Sequence, residues 1–181
     1  MRKVVKITAV LTVFILIFRG PLFRLFVKYQ ETGSRPEFII SDGELLGRID
    51  FESLDTPIHI DEIISVANEI TSRKLTFTFN TASNDPSDLI TSGKANCVGY
   101  AALFNSISNY LIQKNNLEDQ ISVHHKVAQL HFLGINVHQY IESPFFKDHD
   151  YNEITNYNTG ETILIDPSIS DYFWINTVKK L

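Results

Sequence analysis

The chain has 181 residues, 44% of them hydrophobic, a length and composition that predict one globular domain with a core. A formal net charge of -5 argues against a surface dedicated to nucleic acid, so we expect no nucleic-acid partner. The sequence holds one cysteine, which excludes an intramolecular disulfide and is compatible with a reducing or an oxidising compartment.

The N-terminus has the pattern of a membrane signal. Basic residues precede an apolar run from Ile7 to Phe18, and Arg19-Gly20-Pro21 closes that run. Since no small-residue cleavage site follows, an uncleaved signal anchor is favoured over a removed signal peptide, with a buried or interfacial helix as the alternative. We therefore predict that residues 1–28 form a single-pass anchor, with a cytoplasmic N-terminus and the domain on the extracytoplasmic (periplasmic) side.

Residues 29–59 are predicted to form a tether that carries short strands near Phe38 to Ile40 and Leu45 to Ile49. The main domain is then expected to cover residues 60–181. Its first element is a helix from Glu62 to Arg73, whose apolar residues recur at helical spacing, with Asp61 as the predicted N-cap.

Two segments lead to the cysteine. Leu75 to Phe79 alternates like a strand, and Thr81 to Gly93 is predicted to be a long loop. A helix is then predicted from Asn96 to Gln113, since its apolar residues form one stripe while Asn105, Ser108 and Asn109 fall away from it. The members of the stripe are Tyr100, Leu103, Phe104, Ile107, Tyr110 and Leu111.

The last third of the chain alternates in short apolar runs, which predicts an antiparallel sheet against which the helix packs. The expected strands are Ile121 to Leu133, Ile135 to Ile141, Tyr151 to Asn156 and Thr162 to Ile165, with a hairpin turn at Asn158-Thr159-Gly160. The predicted fold class is accordingly α+β.

Cys97 stands where a loop meets the start of that helix, a position that suits a nucleophilic thiol. The unpaired N–H groups of a helix N-terminus favour the thiolate, which is the reactive form. A buried cysteine that acts as a small hydrophobe is the alternative interpretation.

His149 and Asp166 are the predicted partners of this thiol. His149 lies at the start of one predicted strand and Asp166 at the end of its hairpin partner, so the two side chains are expected to be neighbours across the ladder. His138 is the alternative histidine, and Asp166 also suits a turn before Pro167. The other histidines are predicted to be structural or on the surface, and no metal site or cofactor is predicted because no CxxC or helical His pair occurs.

Three sequence blocks resemble the transglutaminase-like superfamily, whose fold is related to papain. They are Ser92-Gly93 to Cys97-Val98-Gly99-Tyr100-Ala101, then His149-Asp150-Tyr151-Asn152-Glu153-Ile154, and Ile165-Asp166-Pro167-Ser168. The resemblance implies that Cys97 is the nucleophile, His149 the general base and acid, and Asp166 the group that orients the imidazole. It also implies an oxyanion donor upstream of the cysteine, for which Asn80 is the candidate beside the backbone N–H of Cys97.

The resemblance implies a membrane-tethered cysteine hydrolase or acyltransferase that acts on peptide or protein amides through a thioester. The alternative is a catalytically inert domain of the same type that binds a protein or cell-wall partner. Tyr172, Phe173 and Trp174, near the C-terminus, are expected to serve core or interface packing.

Overall fold

The computed structural model describes residues 2–53, 59–143 and 146–181, with only the backbone for Arg2 and Lys3. The beginning of the predicted anchor, Met1, and residues 54–58 of the predicted tether lie outside the described residues. The helices are α1 Arg2–Ile17, α2 Arg19–Phe26, α3 Gly43–Glu52, α4 Ile60–Lys74, α5 Pro86–Ser92, α6 Cys97–Lys114 and α7 Pro167–Phe173, with a 3₁₀ turn at Val137–Tyr140. The strands are β1 Val27–Ser34, β2 Thr76–Phe77, β3 Lys94–Ala95, β4 Ile121–Phe132, β5 Ile135–Asn136, β6 His149–Asn156 and β7 Glu161–Ile165.

The described chain has an α+β fold built around an antiparallel sheet, as the sequence predicts. The strand order is β1-β4-β6-β7, and the short β5 pairs with the end of β4. Strands β2 and β3 form a separate parallel pair just before the cysteine helix. The predicted hairpin turn at residues 158–160 is confirmed, with Gly160 in the left-handed region at a φ of 72°.

Helix α6 is the centre of the core, because it packs against strands β4 and β6 on one side and against α4 on the other. The structure confirms the predicted helix, which ends at Lys114, one residue after the predicted Gln113. Asn105 and Ser108 are nevertheless buried rather than turned away from the core. The reason is that a helix enclosed on both sides buries its polar face as well, and Asn105 satisfies its amide by donating to the Val123 carbonyl.

The segment between the N-terminal helices and the main domain is more ordered than predicted. Strand β1 belongs to the main sheet, where it pairs with β4 over its whole length. The strand prediction for Leu45 to Ile49 is wrong, because Asp42 caps helix α3 by accepting from Leu45 N at 2.7 Å. The strand prediction for Phe38 to Ile40 is also wrong, since those residues adopt no regular structure.

Four further predictions need correction. Helix α4 begins at Ile60 with His59 as its N-cap, so Asp61 lies inside the first turn, where it complements the helix dipole. The loop predicted from Thr81 to Gly93 contains helix α5, and the strand predicted up to Phe79 pairs only at β2. The strand predicted from Ile135 to Ile141 ends after two residues, since the chain turns into the 3₁₀ segment.

The apolar N-terminus forms two helices that meet at Phe18. The side chains of α1 from Val4 onward are exposed on all faces, which is unusual for so apolar a segment. Within the described residues, no single helix is long and apolar enough to span a membrane. The pair Val4–Ile17 and Arg19–Phe26 meets that requirement only when taken together, and the two helices are bent by 76°.

Candidate active site

Cys97 occupies the first position of α6, as the sequence predicts. The side chain of Asn96 caps the helix by accepting from Val98 N at 3.1 Å and from Gly99 N at 3.3 Å. The N–H of Cys97 itself points out of the first turn, where no carbonyl of the same helix is available. Cys97, which is 7% exposed, therefore lies at the positive end of the helix dipole.

His149 and Asp166 are neighbours across the β6–β7 ladder, which confirms the predicted adjacency. Because Asn152 pairs with Ile165, the two side chains lie diagonally across the ladder, and His149 Nε2 is 2.5 Å from Asp166 Oδ2. The other oxygen of Asp166 caps α7 by accepting from Ser168 N and Ile169 N, each at 3.1 Å, and from Ser168 Oγ at 2.7 Å. Oδ1 of Asp166 therefore caps α7, while Oδ2 faces the imidazole.

Cys97 and His149 line the same cleft, and the proximity of the thiol helps to raise the pKa of His149. Since Nε2 is occupied by Asp166, the nitrogen left for the thiol is Nδ1. The structure therefore brings together all three residues that were predicted from the sequence, in the order thiol, imidazole, carboxylate.

His149 and Asp166 each shift the pKa of the other towards its charged form. Burial lowers the pKa of His149, but the charge of Asp166 and the hydrogen bonds to Asp166 and Cys97 outweigh it and raise that pKa well above its usual value. Burial alone would raise the pKa of Asp166. The charge of His149 and the hydrogen bonds that the carboxylate accepts outweigh this effect and lower the pKa below its usual value. The geometry therefore favours imidazolium beside carboxylate near neutral pH.

Tyr29 is a residue of the site that sequence reasoning missed. It is fully buried in β1, and its hydroxyl donates to Asp166 Oδ2 at 2.6 Å. Burial and the charge of Asp166 raise the pKa of Tyr29 well above its usual value, so the hydroxyl keeps the proton that it donates. Its ring packs edge-on against His149 at 5.9 Å between centroids, and this contact fixes the imidazole from the side.

A second charged cluster lies next to the first and was also missed. Asp150 is completely buried and is held by Arg35 Nε at 2.7 Å and by His125 Nε2 at 2.9 Å. The hydrogen bond to Asp150 raises the pKa of Arg35, and Asp150 and Cys97 add electrostatic attraction. Burial raises the pKa of Asp150, but His125 and Arg35 lower it overall. Arg35 thus brings a fixed positive charge within electrostatic range of the thiol.

An apolar cleft of about 590 Å³ opens beside Cys97 and His149. Its aromatic walls are Phe77, Phe79, Phe146, Tyr172 and Phe173. Tyr172 and Phe173, for which core or interface packing is predicted, are half-exposed rather than part of the core, and both line the cleft. Trp174 lies outside this cleft and stacks under the guanidinium of Arg19 at 5.4 Å.

Two residues that the sequence offers as candidates lie elsewhere. His138, the alternative histidine, lines the same cleft, but its Nδ1 donates to the Phe146 carbonyl at 2.6 Å. The histidine that contacts Asp166 is His149. Asn80 lines a separate pocket with Thr78 and Thr81, and its role as an oxyanion donor stays a prediction. The N–H of Cys97 lies at the start of α6, a position suited to an oxyanion donor.

The other histidines have structural or surface positions, as predicted. His124 and His125 point to opposite faces of β4, the first exposed beside Glu37 and the second buried beside Asp150. Within residues 2–53, 59–143 and 146–181, no group of three or more histidine, cysteine or carboxylate side chains is arranged to hold a metal ion.

Comparison of the chain with protein-family models and with curated proteins finds no match. The argument for function therefore rests on the geometry of the site.

Proposed function

We propose that this protein is a membrane-tethered cysteine hydrolase or acyltransferase of the transglutaminase-like type. The observation that carries the proposal is the grouping of three residues: Cys97, at a helix N-terminus, lines the same cleft as His149, and His149 Nε2 contacts Asp166 Oδ2. A thiol, an imidazole and an orienting carboxylate are the parts that covalent acyl transfer needs. The buried core that surrounds them holds each side chain in place before any substrate binds.

The geometry supports a specific division of roles. The imidazolium of His149 and the thiolate of Cys97 form the reactive pair, and Asp166 holds the ring so that Nδ1 faces the sulfur. The N–H of Cys97 stabilises the oxyanion that forms when sulfur adds to the carbonyl carbon, a contribution of about 3 kcal/mol per donor. The walls of the cleft exclude water from the carbonyl, which strengthens these electrostatic interactions.

Alkylation of Cys97 by iodoacetamide tests the proposal without a known substrate. In the full-length protein in detergent, we expect rapid alkylation below pH 7, and we expect His149→Ala to move the profile towards that of a free thiol. His124→Ala is the matched control, because His124 is exposed on β4 and pairs with Glu37. A thiol that behaves like a free cysteine in all three proteins would instead favour the inert binding module.

The proposal places the apolar helix α1 in a membrane, with the remainder of the chain on the extracytoplasmic side. The uniformly exposed apolar side chains of α1 support this proposal, since burial in lipid removes them from water. Carbonate washing of membranes from expressing cells should leave the full-length protein in the pellet. External protease should then digest it in spheroplasts, whereas protection from the protease would reverse the orientation and release by carbonate would exclude the anchor.

A further inference from the structure

We propose that the cleft beside Cys97 binds an unbranched aliphatic acyl chain, so that the substrate is an acyl amphiphile rather than a polar peptide. The inference rests on the proposed function and specifies its substrate class. It is carried by the polarity of the cleft walls, by the size of the cleft and by its position beside the N-terminal helices.

The cleft offers few free hydrogen-bonding groups. Tyr172 Oη already accepts from Phe77 N at 2.8 Å, and Ser168 Oγ donates to Asp166. Asp148, which also lines the cleft, lies 3.7 Å from the guanidinium of Arg35. A peptide backbone placed here would exchange its bonds to water for contacts with carbon, a costly transfer for an amide. An alkyl chain has no such bonds to lose.

Apart from Cys97, His149 and His138, the remaining wall is aliphatic. The aliphatic side chains that complete it are Leu130, Val137, Ile141 and Ile169. A volume of about 590 Å³ is on the scale of a complete small ligand, and it exceeds what one amino-acid side chain requires. A chain of several methylenes would fill the space, and each buried methylene would add to affinity.

The cleft also lies beside the junction of the two N-terminal helices. Arg19, the first residue of α2, donates from Nε to the carbonyl of Phe173 at 2.8 Å, and Phe173 lines the cleft. The next residue, Trp174, is 69% exposed and stacks with Arg19. Exposed aromatic residues beside a basic residue are typical of a membrane–water interface. An acyl chain in the proposed membrane therefore has a short path to the thiol.

The acyl group passes through Cys97 to water or to an amine. The sulfur of Cys97 bonds to the acyl carbon, and the bond from that carbon to the leaving oxygen, sulfur or nitrogen breaks as His149 gives the leaving group its proton. The product is an S-acyl cysteine. Water or an amine then attacks this thioester while His149 takes the proton of the attacking group, and the Cys97 thiolate leaves as the acid or amide is released.

A homologous series of p-nitrophenyl esters, from acetate through butyrate and hexanoate to octanoate, tests the inference in the full-length protein. We expect kcat/KM for release of nitrophenol to rise about fourfold per added methylene until the cleft is filled. Mass spectrometry of the quenched reaction should locate the acyl group on Cys97. The leaving group is the same throughout, so the slope of the series measures the recognition of the chain.

Two variants test whether the cleft causes the rise of kcat/KM with chain length. Val137→Phe adds a ring to the wall and should lower the ratio of octanoate to acetate kcat/KM at least tenfold. Phe51→Ala, an exposed position on α3 that does not line the cleft, should leave the ratio unchanged. A flat series in the wild type, or a ratio that Val137→Phe does not alter, would overturn the acyl-chain inference while leaving the proposed function intact. Failure of every ester, acetate included, to acylate Cys97 would refute both.

Discussion

Tyr29 and Asp166, 137 positions apart in the chain, are joined by a hydrogen bond of 2.6 Å in the buried part of the candidate site. The acceptor is the same carboxylate oxygen that contacts His149. Strand β1, which precedes most of the fold, therefore determines the position of the acid that orients the imidazole. The candidate site depends on the first strand as much as on the cysteine helix.

Tyr29→Phe should destabilise the protein by about 1.5–3 kcal/mol, the usual contribution of a hydrogen bond to a charged group. The ring remains, so its packing against Tyr151 and His149 is preserved. Urea unfolding monitored by circular dichroism measures the change. Tyr157→Phe is the control, because that exposed hydroxyl donates only to Ser122 Oγ, and we expect a change within about 0.5 kcal/mol. Equal effects of the two substitutions would contradict the role given to Tyr29.

Asp166→Asn should lower the pKa of His149. Burial alone disfavours the imidazolium, and the substitution removes the negative charge that opposes this effect. Because the pKa of His149 is raised in the fold, its protonation stabilises the native state fully below about pH 6.5. That contribution is lost as the pH rises through the raised value.

NMR titration of the histidine side chains should therefore show His149 protonated above pH 6.5 in the wild type and deprotonated at a lower pH in Asp166→Asn. Asp119→Asn removes an exposed carboxylate and should leave the titration of His149 unchanged. A wild-type His149 that is neutral at pH 6 would contradict the proposed imidazolium.

Arg35→Gln should destabilise the protein by about 1–2 kcal/mol at pH 7, since it removes a charged partner from the fully buried Asp150. This loss of stability is at the lower end for a buried ion pair, because Arg35 is 32% exposed and its charge is partly screened by solvent. The lowered pKa of Asp150 stabilises the fold above about pH 3.9, so the difference from the wild type should shrink as the pH falls below that value.

Urea unfolding at several pH values measures this difference, with Arg48→Gln as the control. Arg48 pairs with Glu52 one helical turn away on the surface, and its replacement should cost less than about 0.5 kcal/mol at any pH. A pH-independent deficit in Arg35→Gln would mean that Arg35 acts through packing and not through Asp150.

Gly99→Ala should destabilise the protein by about 1–3 kcal/mol and slow the alkylation of Cys97. A Cβ at this position would lie 2.8 Å from Ala95 Cβ and from Leu89 Cδ2, and 3.2 Å from the Ser83 carbonyl, so the start of α6 must move. Gly47→Ala in α3 is the matched control, since nothing lies within 4 Å of its Cβ and helical alanine is favoured by about 0.5–1 kcal/mol. A stabilised Gly99→Ala with unchanged alkylation would show that the close packing under the cysteine is not required.

The sequence predicted the parts of the site that local patterns encode. Asn96 before an apolar helix, and the turn at residues 158–160 between alternating runs, are short-range signals, and both were sufficient to place Cys97, His149 and Asp166. Once the hairpin was assigned, its register brought the histidine and the carboxylate together.

The missed elements depend on contacts that are distant in the chain or on local signals that conflict with one another. No local pattern relates Tyr29 to Asp166 or Arg35 to Asp150, because both pairs form only when β1 joins the sheet. Helix α3 had a usable signal, since Asp42 precedes apolar residues at helical spacing, but its glycines favoured a non-helical interpretation. The cleft is likewise a property of the assembled fold, to which β2, the 3₁₀ segment and α7 each contribute residues.

Strand β1 starts at Val27, directly after α2 ends at Phe26, so no free linker separates the N-terminal helices from the sheet. A protease that cut after Tyr29 would release a fragment without the hydroxyl that supports Asp166. Shedding of an intact site would require a cut before Val27, inside or ahead of α2. A cut inside β1 would therefore act as an off-switch that couples release to a loss of reactivity at Cys97, whereas a cut before Val27 would release a reactive fragment.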